Sequence, residues 1–205
     1  MLEEILVFHD RRFENEVRSV LRIPQRPIKT SEALKVTMLD CCFDSDELFD
    51  PEDYQTLQLF TNLKLLWIEC REDSLPTIGR LINLEELHIN CIGWNQTFDF
   101  QHLSRLQKLR NLSISGGDYS NMKLINLDAL SVCSCLERLH LHEFDYIDLR
   151  PLEYFQQLKE LYIGYGRRVD NSEVIGCLKQ LREVSLIDIQ FHSMKLQNNR
   201  TIIHI

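Results

Sequence analysis

Apolar residues recur along the chain in one short phrase, with leucine at the first and fourth places and leucine or isoleucine at the sixth; Leu84-Glu85-Glu86-Leu87-His88-Ile89 is the clearest copy. Others stand at Leu63/Leu66/Ile68, Leu109/Leu112/Ile114, Leu136/Leu139/Leu141, Leu158/Leu161/Ile163 and Leu181/Val184/Leu186. A degenerate copy opens the series at Val36/Leu39/Cys41, and a last one is expected at Arg200/Ile203/Ile205. Side chains alternate along an extended strand. Each phrase therefore predicts a strand whose fourth and sixth residues enter a core while the third, fifth and seventh face solvent. Most successive copies start about 20 to 29 residues apart, the length of one coil in a stacked array.

This is the pattern of a leucine-rich repeat. Neighbouring strands pack about 4.8 Å apart, whereas a return segment carrying a helix needs about 10 Å. The stack must then curve with its strands inside. The expected fold is an α/β horseshoe solenoid with a parallel concave sheet of about 7 to 8 strands, roughly 34 Å wide at that spacing, and short helices or 3₁₀ turns on the convex side.

Ahead of the first copy, Phe13, Val17, Val20 and Leu21 are apolar at helical spacing, with Glu14, Glu16, Arg18 and Arg22 on the opposite face. The spacing predicts a helix over 13–21, stopped by Pro24 and Pro27. An open stack needs a cap at its first strand, so residues 1–35 are expected to form an N-terminal cap, 36–189 the repeats and 190–205 a closing segment of a single domain. Between the first two copies, Asp44, Asp46, Glu47, Asp50, Glu52 and Asp53 cluster around Pro51. They read as the solvated first turn of an outer helix, since the spacing lacks the central glycine and final glutamate of a calcium loop. Further on, Leu103/Leu106, Leu127/Leu130, Leu152/Phe155 and Ile175/Leu178 predict short convex-side turns.

The stretch Phe13-Glu14-Asn15-Glu16-Val17-Arg18-Ser19-Val20-Leu21, followed by Pro27-Ile28-Lys29-Thr30 and Val36-Thr37-Met38-Leu39, resembles the N-terminal segment of bacterial internalin-like leucine-rich repeat proteins. Phe60-Thr61-Asn62-Leu63-Lys64-Leu65-Leu66 and Leu75-Pro76-Thr77-Ile78-Gly79-Arg80-Leu81-Ile82-Asn83-Leu84 are similar to leucine-rich repeat proteins in general. The resemblance implies a short capping helix and a curved binding sheet. One departure has a structural consequence: in place of the family's asparagine ladder, the ninth position holds Arg71, Ile92, Gly117, Phe144, Gly166 and Ile189. Backbone groups at those turns must be satisfied another way.

The chain has 205 residues, 44% of them hydrophobic, enough for one well-packed domain. A net charge of −8 argues against non-specific nucleic-acid binding, which needs basic residues, and favours a partner with a basic surface. Neither a signal peptide nor a membrane span is visible, so a cytoplasmic location, without membrane association, is expected. Seven cysteines without Cys-x-x-Cys pairs read as free and mostly buried thiols. The sequons at Asn95, Asn111 and Asn199 read as chance matches.

On the exposed strand positions the sequence places Trp67, Glu69, Glu86, His88, Asn90, Arg138, His140, His142, Glu160 and Tyr162. Rigid aromatics among single charges make up the composition of a protein-binding surface. A zinc site from His88, His140 and His142 is disfavoured, because His88 lies two coils away, about 10 Å, and zinc ligands converge to about 2 Å. Ser113 beside a histidine suggests a hydrolase, but an open sheet offers no oxyanion hole. The expected function is therefore a non-enzymatic module, without cofactor, that binds another protein on its concave face, in the manner of an inhibitor or immunity protein for a basic enzyme or toxin. The alternative is a metal-dependent or hydrolytic enzyme using the histidine-rich face.

Overall fold

The structure is a computed structural model that describes residues 4–23, 25–43, 50–93, 96–117, 121–189 and, as backbone, 202–204. In chain order the strands are β1 (Met38–Cys41), β2 (Leu65–Cys70), β3 (Glu86–Cys91), β4 (Thr97–Asp99), β5 (Asn111–Ser115), β6 (Lys123–Ile125), β7 (Arg138–Asp148), β8 (Glu160–Asp170), β9 (Glu183–Ile187) and β10 (Ile202–His204). The concave sheet runs β1-β2-β3-β5-β7-β8-β9-β10, with every ladder parallel. Each repeat phrase supplies one of these eight strands, the degenerate first and last copies included.

Register explains why the phrase is apolar where it is. Leu39, Leu66, Leu87, Leu112, Leu139, Leu161 and Val184 are successive partners across the sheet and are all buried. So are the sixth-place residues Cys41, Ile68, Ile89, Ile114, Leu141, Ile163 and Leu186. Two continuous apolar rows thus line the inside of the curve. Between coils, carbonyls at the second place carry the stack forward: the Lys64 oxygen, for example, accepts from both Glu85 and Glu86 nitrogens at 2.8 and 2.9 Å. The same row alternates in charge, and Lys64 pairs with Glu85 at 2.8 Å while Glu137 holds both Arg110 and Lys159 at 3.2 and 2.7 Å.

The helical cap forms as the periodicity predicts. Helix α1 (Arg11–Leu21) buries Phe13 and Val17, and Asp10 caps it by accepting from the Arg12 nitrogen at 2.7 Å. It ends at Arg22, whose backbone turns left-handed (φ 56°) and donates to the Arg18 and Ser19 carbonyls, so the stop lies before the prolines. Packed on β1, the helix also satisfies the sheet edge, because Glu16 Oε1 accepts from the Asp40 nitrogen at 3.2 Å. An edge strand would otherwise leave such groups open to another chain. Short helices α2 (Thr30–Ala33), α3 (Asp53–Leu57) and α4 (Leu75–Ile78), with 3₁₀ turns at 100–103, 127–132, 150–154 and 172–177, make the return segments. No helix among the described residues is long and apolar enough to cross a membrane.

Two features differ from the sequence expectations. Asp53 is not a solvated acid: its side chain is fully buried and accepts from the His9 nitrogen at 3.1 Å and the Asp10 nitrogen at 2.5 Å, tying the cap to the second coil. Burial outweighs these bonds and pushes its carboxyl above the ordinary value. Of the same cluster, Asp44, Asp46 and Glu47 lie outside the described residues, as does most of 190–205. The thiols are free and mostly buried, as expected: Cys41, Cys70, Cys91 and Cys133 are buried, Cys42 and Cys135 half-buried, and Cys177 exposed.

The other is a second ladder on the flank. At the eighth place Glu143 and Tyr165 adopt left-handed backbone (φ 59° and 55°), and β7 and β8 turn there instead of ending. Their far halves pair again, Phe144 with Gly166 through Asp148 with Asp170, and β4 and β6 complete the ladder. Phe98, Leu124, Ile147 and Val169 fill its inner row. This is how the missing ninth-place asparagines are replaced in those coils, since a continued ladder satisfies the backbone directly. Other asparagines stitch coils nearby: Asn62 and Asn83 donate to the Leu34 and Thr61 carbonyls, each at 2.8 Å, while Asn126 and Asn171 donate to Asp99 and Asp148 at 2.9 and 2.7 Å.

Candidate functional site

All ten candidate residues project from the concave strands in three parallel rows. The first row runs Leu65, Glu86, Asn111, Arg138, Glu160 and Glu183; the middle row Asp40, Trp67, His88, Ser113, His140 and Tyr162; the third Glu69, Asn90, Ser115, His142, Gly164 and Ile187. Alternation along the strands puts them there, because the same strands bury their fourth and sixth residues.

Two aromatic groups emerge. On β2 and β3 the Trp67 indole lies against the His88 imidazole, centroids 4.4 Å apart and planes 33° from parallel. On β7 and β8 the Tyr162 ring sits between His140 and His142, at 5.7 and 6.0 Å. Between the groups, in the middle and third rows, β5 contributes Ser113 and Ser115, and the face dips there into a shallow trough of about 490 Å³. Six residues of its lining are not among the ten candidates, Cys42, Ile89, Ser113, Ser115, Gly117 and Glu143, and of these Glu143 is the charged one, which strand alternation does not place on this face. Glu143 holds an eighth place, which a regular strand would turn inward; the left-handed turn swings its carboxylate into the trough, where it accepts from Ser115 Oγ at 2.6 Å. Nothing in the sequence marks a left-handed glutamate.

The charges are less available than their number suggests. Glu86 accepts from Asn111 Nδ2 at 3.0 Å and lies 2.7 Å from His88 Nε2. Burial opposes its charge, but the bonds from His88 and Asn111 together outweigh it and hold the carboxyl below its ordinary value. Glu160 pairs with Arg138 at 2.9 Å, and Glu69 accepts from Asn90 at 3.2 Å. Burial also holds His140 and His142 below the ordinary histidine value, in spite of Glu160 and Glu143 respectively.

For the alternative chemistry the geometry is unfavourable. No group of three metal-ligating side chains converges among the described residues, and β5 separates His88 from His140. The Ser115 hydroxyl donates its hydrogen bond directly to Glu143, with no histidine between them. The trough is open and floored by short side chains, which leaves a reacting group in contact with water.

No family model matches the chain, and no curated protein matches it. Among solved structures it is similar to internalin C2 of Listeria monocytogenes, at 16% identity over 100% of this chain and 97% of that one with a TM-score of 0.66. It is also similar to the internalin inlF of the same organism, at 19% identity over 94% of this chain and 61% of that one with a TM-score of 0.63. By its repeat register, its capping helix and these likenesses, the chain is a leucine-rich repeat solenoid with the internalin-like fold.

Proposed function

We propose that the chain is a non-enzymatic protein-binding module whose ligand lies across the concave face between Trp67 and Tyr162. The observation that carries this is the exposure of Trp67, 43% of its surface, on a rigid strand where the fold does not need it for packing. Interfaces are enriched in such aromatics, which lose little freedom on binding. Outward positions of the concave rows carry Asp40, Glu69, Glu86, Glu160 and Glu183 against Arg138 as the one Lys or Arg, so a basic partner surface complements the face. A protein that seats a basic enzyme or toxin there covers it, and the module acts as an inhibitor or immunity protein.

The test is affinity purification from the native host with three baits. A partner retained by the native chain and by Tyr154→Ala, an exposed aromatic outside the sheet, but lost by the double variant Trp67→Ala/Tyr162→Ala supports the assignment. Retention by the double variant with loss by Tyr154→Ala overturns it. Enzymatic activity in the captured partner that falls on adding the module supports inhibition, and activity unchanged at saturation overturns that part.

A further inference from the structure

At β5 the concave sheet carries serine in both its middle and its third row. His88, Ser113 and His140 are successive register partners in the middle row, and Asn90, Ser115 and His142 in the third, so each serine stands between longer side chains on β3 and β7. Ser115 is committed to Glu143 at 2.6 Å. Ser113 lines the trough, and its hydroxyl makes no hydrogen bond among the described residues.

The walls on either side are held. On β3, His88 stacks on Trp67 with centroids 4.4 Å apart and lies 2.7 Å from Glu86 Oε1. On β7, His142 meets the Tyr162 ring edge-on at 6.0 Å. Tyr162 in turn lies over Gly164, where an added β-carbon would fall 2.7 Å from the phenol oxygen; the missing side chain lets the ring rest there and back His142.

These walls stand on strands two spacings apart, about 10 Å. A ring midway between them sits about 5 Å from each, within the range of about 4.5 to 7 Å that aromatic pairs adopt, and there is room for one ring and not for two. The guest must also be neutral. Glu143 in the lining disfavours a carboxylate, and a positive charge is disfavoured as well, since burial holds His142 below the ordinary histidine value in spite of Glu143. A phenol meets both conditions and adds what a plain phenyl lacks, a hydroxyl that donates to and accepts from another hydroxyl.

We propose that the trough over Ser113 receives a tyrosine side chain of the partner, its ring between the β3 and β7 walls and its hydroxyl on Ser113 Oγ. This rests on the concave-face reading and deepens it: Trp67 and Tyr162 bound the contact, and the serine floor selects the residue that enters. Because both walls are fixed before the partner arrives, little ordering is left to oppose its entry.

Titration of the full chain with N-acetyl-tyrosine amide, N-acetyl-phenylalanine amide and N-acetyl-arginine amide, followed by NMR at the Ser113 and Ser115 backbone amides, tests this. The tyrosine probe should shift both signals saturably and bind about threefold or more tighter than the phenylalanine probe, while the arginine probe leaves them flat. Ser113→Ala should bring the tyrosine probe down to the phenylalanine level, and Ser113→Leu, which fills the slot, should abolish both. Ser185→Leu, at the middle-row position of β9, should bind like the native chain. All three substitutions face outward, so unfolding midpoints should match the native chain. Absence of a shift at the solubility limit, equal or tighter binding of the phenylalanine or arginine probe, or tyrosine binding untouched by Ser113→Leu overturns the slot. The concave-face reading is decided separately, by the captured partner's response to Trp67→Ala/Tyr162→Ala.

Discussion

The ring of Phe144 covers Gly166 so closely that a β-carbon added to the glycine falls 2.5 Å from it. The two are register partners at the turn where β7 and β8 leave the concave sheet for the flank, and Phe144 is buried there. Gly166→Ala must therefore displace either ring or strand, and overpacking of this kind costs about 1 to 3 kcal/mol. Gly176→Ala, where nothing lies within 4 Å, should be near neutral. Denaturant unfolding of the two variants checks this; equal stabilities would mean that the flank ladder is not packed as described.

The inner rows make a second expectation. Leu87, Leu112, Leu139 and Leu161 are buried to 1% exposure or less in one row, so each change to Ala should cost about 2 to 5 kcal/mol. Unfolding midpoints within error of the native chain for all four would mean a shifted register.

Asp53 ties the cap to the repeats by accepting two backbone N–H groups. Asp53→Ala leaves the buried Asp10 nitrogen without a partner, at about 1 to 3 kcal/mol. Deleting residues 1–30 goes further by uncovering the apolar edge of β1, and should produce aggregation or non-cooperative unfolding. A soluble, monomeric and equally stable truncation would contradict the role of α1.

Stability should fall in two acid steps. His140 and His142 titrate lower in the fold than in the unfolded chain because burial disfavours their charged forms. The unfolded state then binds more protons as pH drops below about 6.5, and stability present above that pH is lost toward the lowered folded values. Glu32 gives the second step. Hydrogen bonds from Arg26 and from the Lys29 nitrogen hold its carboxyl at about 2, so its contribution is full above the unfolded value of about 4.3 and fades as pH falls toward 2. Thermal unfolding across pH 2 to 8 should show the upper step vanish in His140→Gln/His142→Gln and the lower one shrink in Glu32→Gln. Unaltered profiles in both variants would contradict these assignments.

Much of this architecture is legible in the chain because each coil repeats one phrase. Leu87 or Leu139 alone is an ordinary apolar residue, but eight aligned copies locate strand, inner face and outer face at once. Aperiodic features escape that reading. Glu143 and Tyr165 turn left-handed with side chains that give no sign of it, so the flank ladder was invisible. Asp53 looked solvated because its acidic neighbours outnumber it, and only the fold brings the His9 and Asp10 nitrogens to it. The ten concave residues were placed by alternation, whereas the pairing of Arg138 with Glu160 and of Glu86 with Asn111 depends on register between coils that the irregular repeat lengths obscure.

The most direct measurement of the central claim is calorimetry of the captured partner against Trp67→Ala, Tyr162→Ala and Tyr154→Ala. A concave-face site predicts that Trp67→Ala and Tyr162→Ala each weaken binding by about 2 kcal/mol or more while Tyr154→Ala binds like the native chain. Unchanged affinity for both concave variants together with a large loss for Tyr154→Ala would contradict it and put the interface on the convex side.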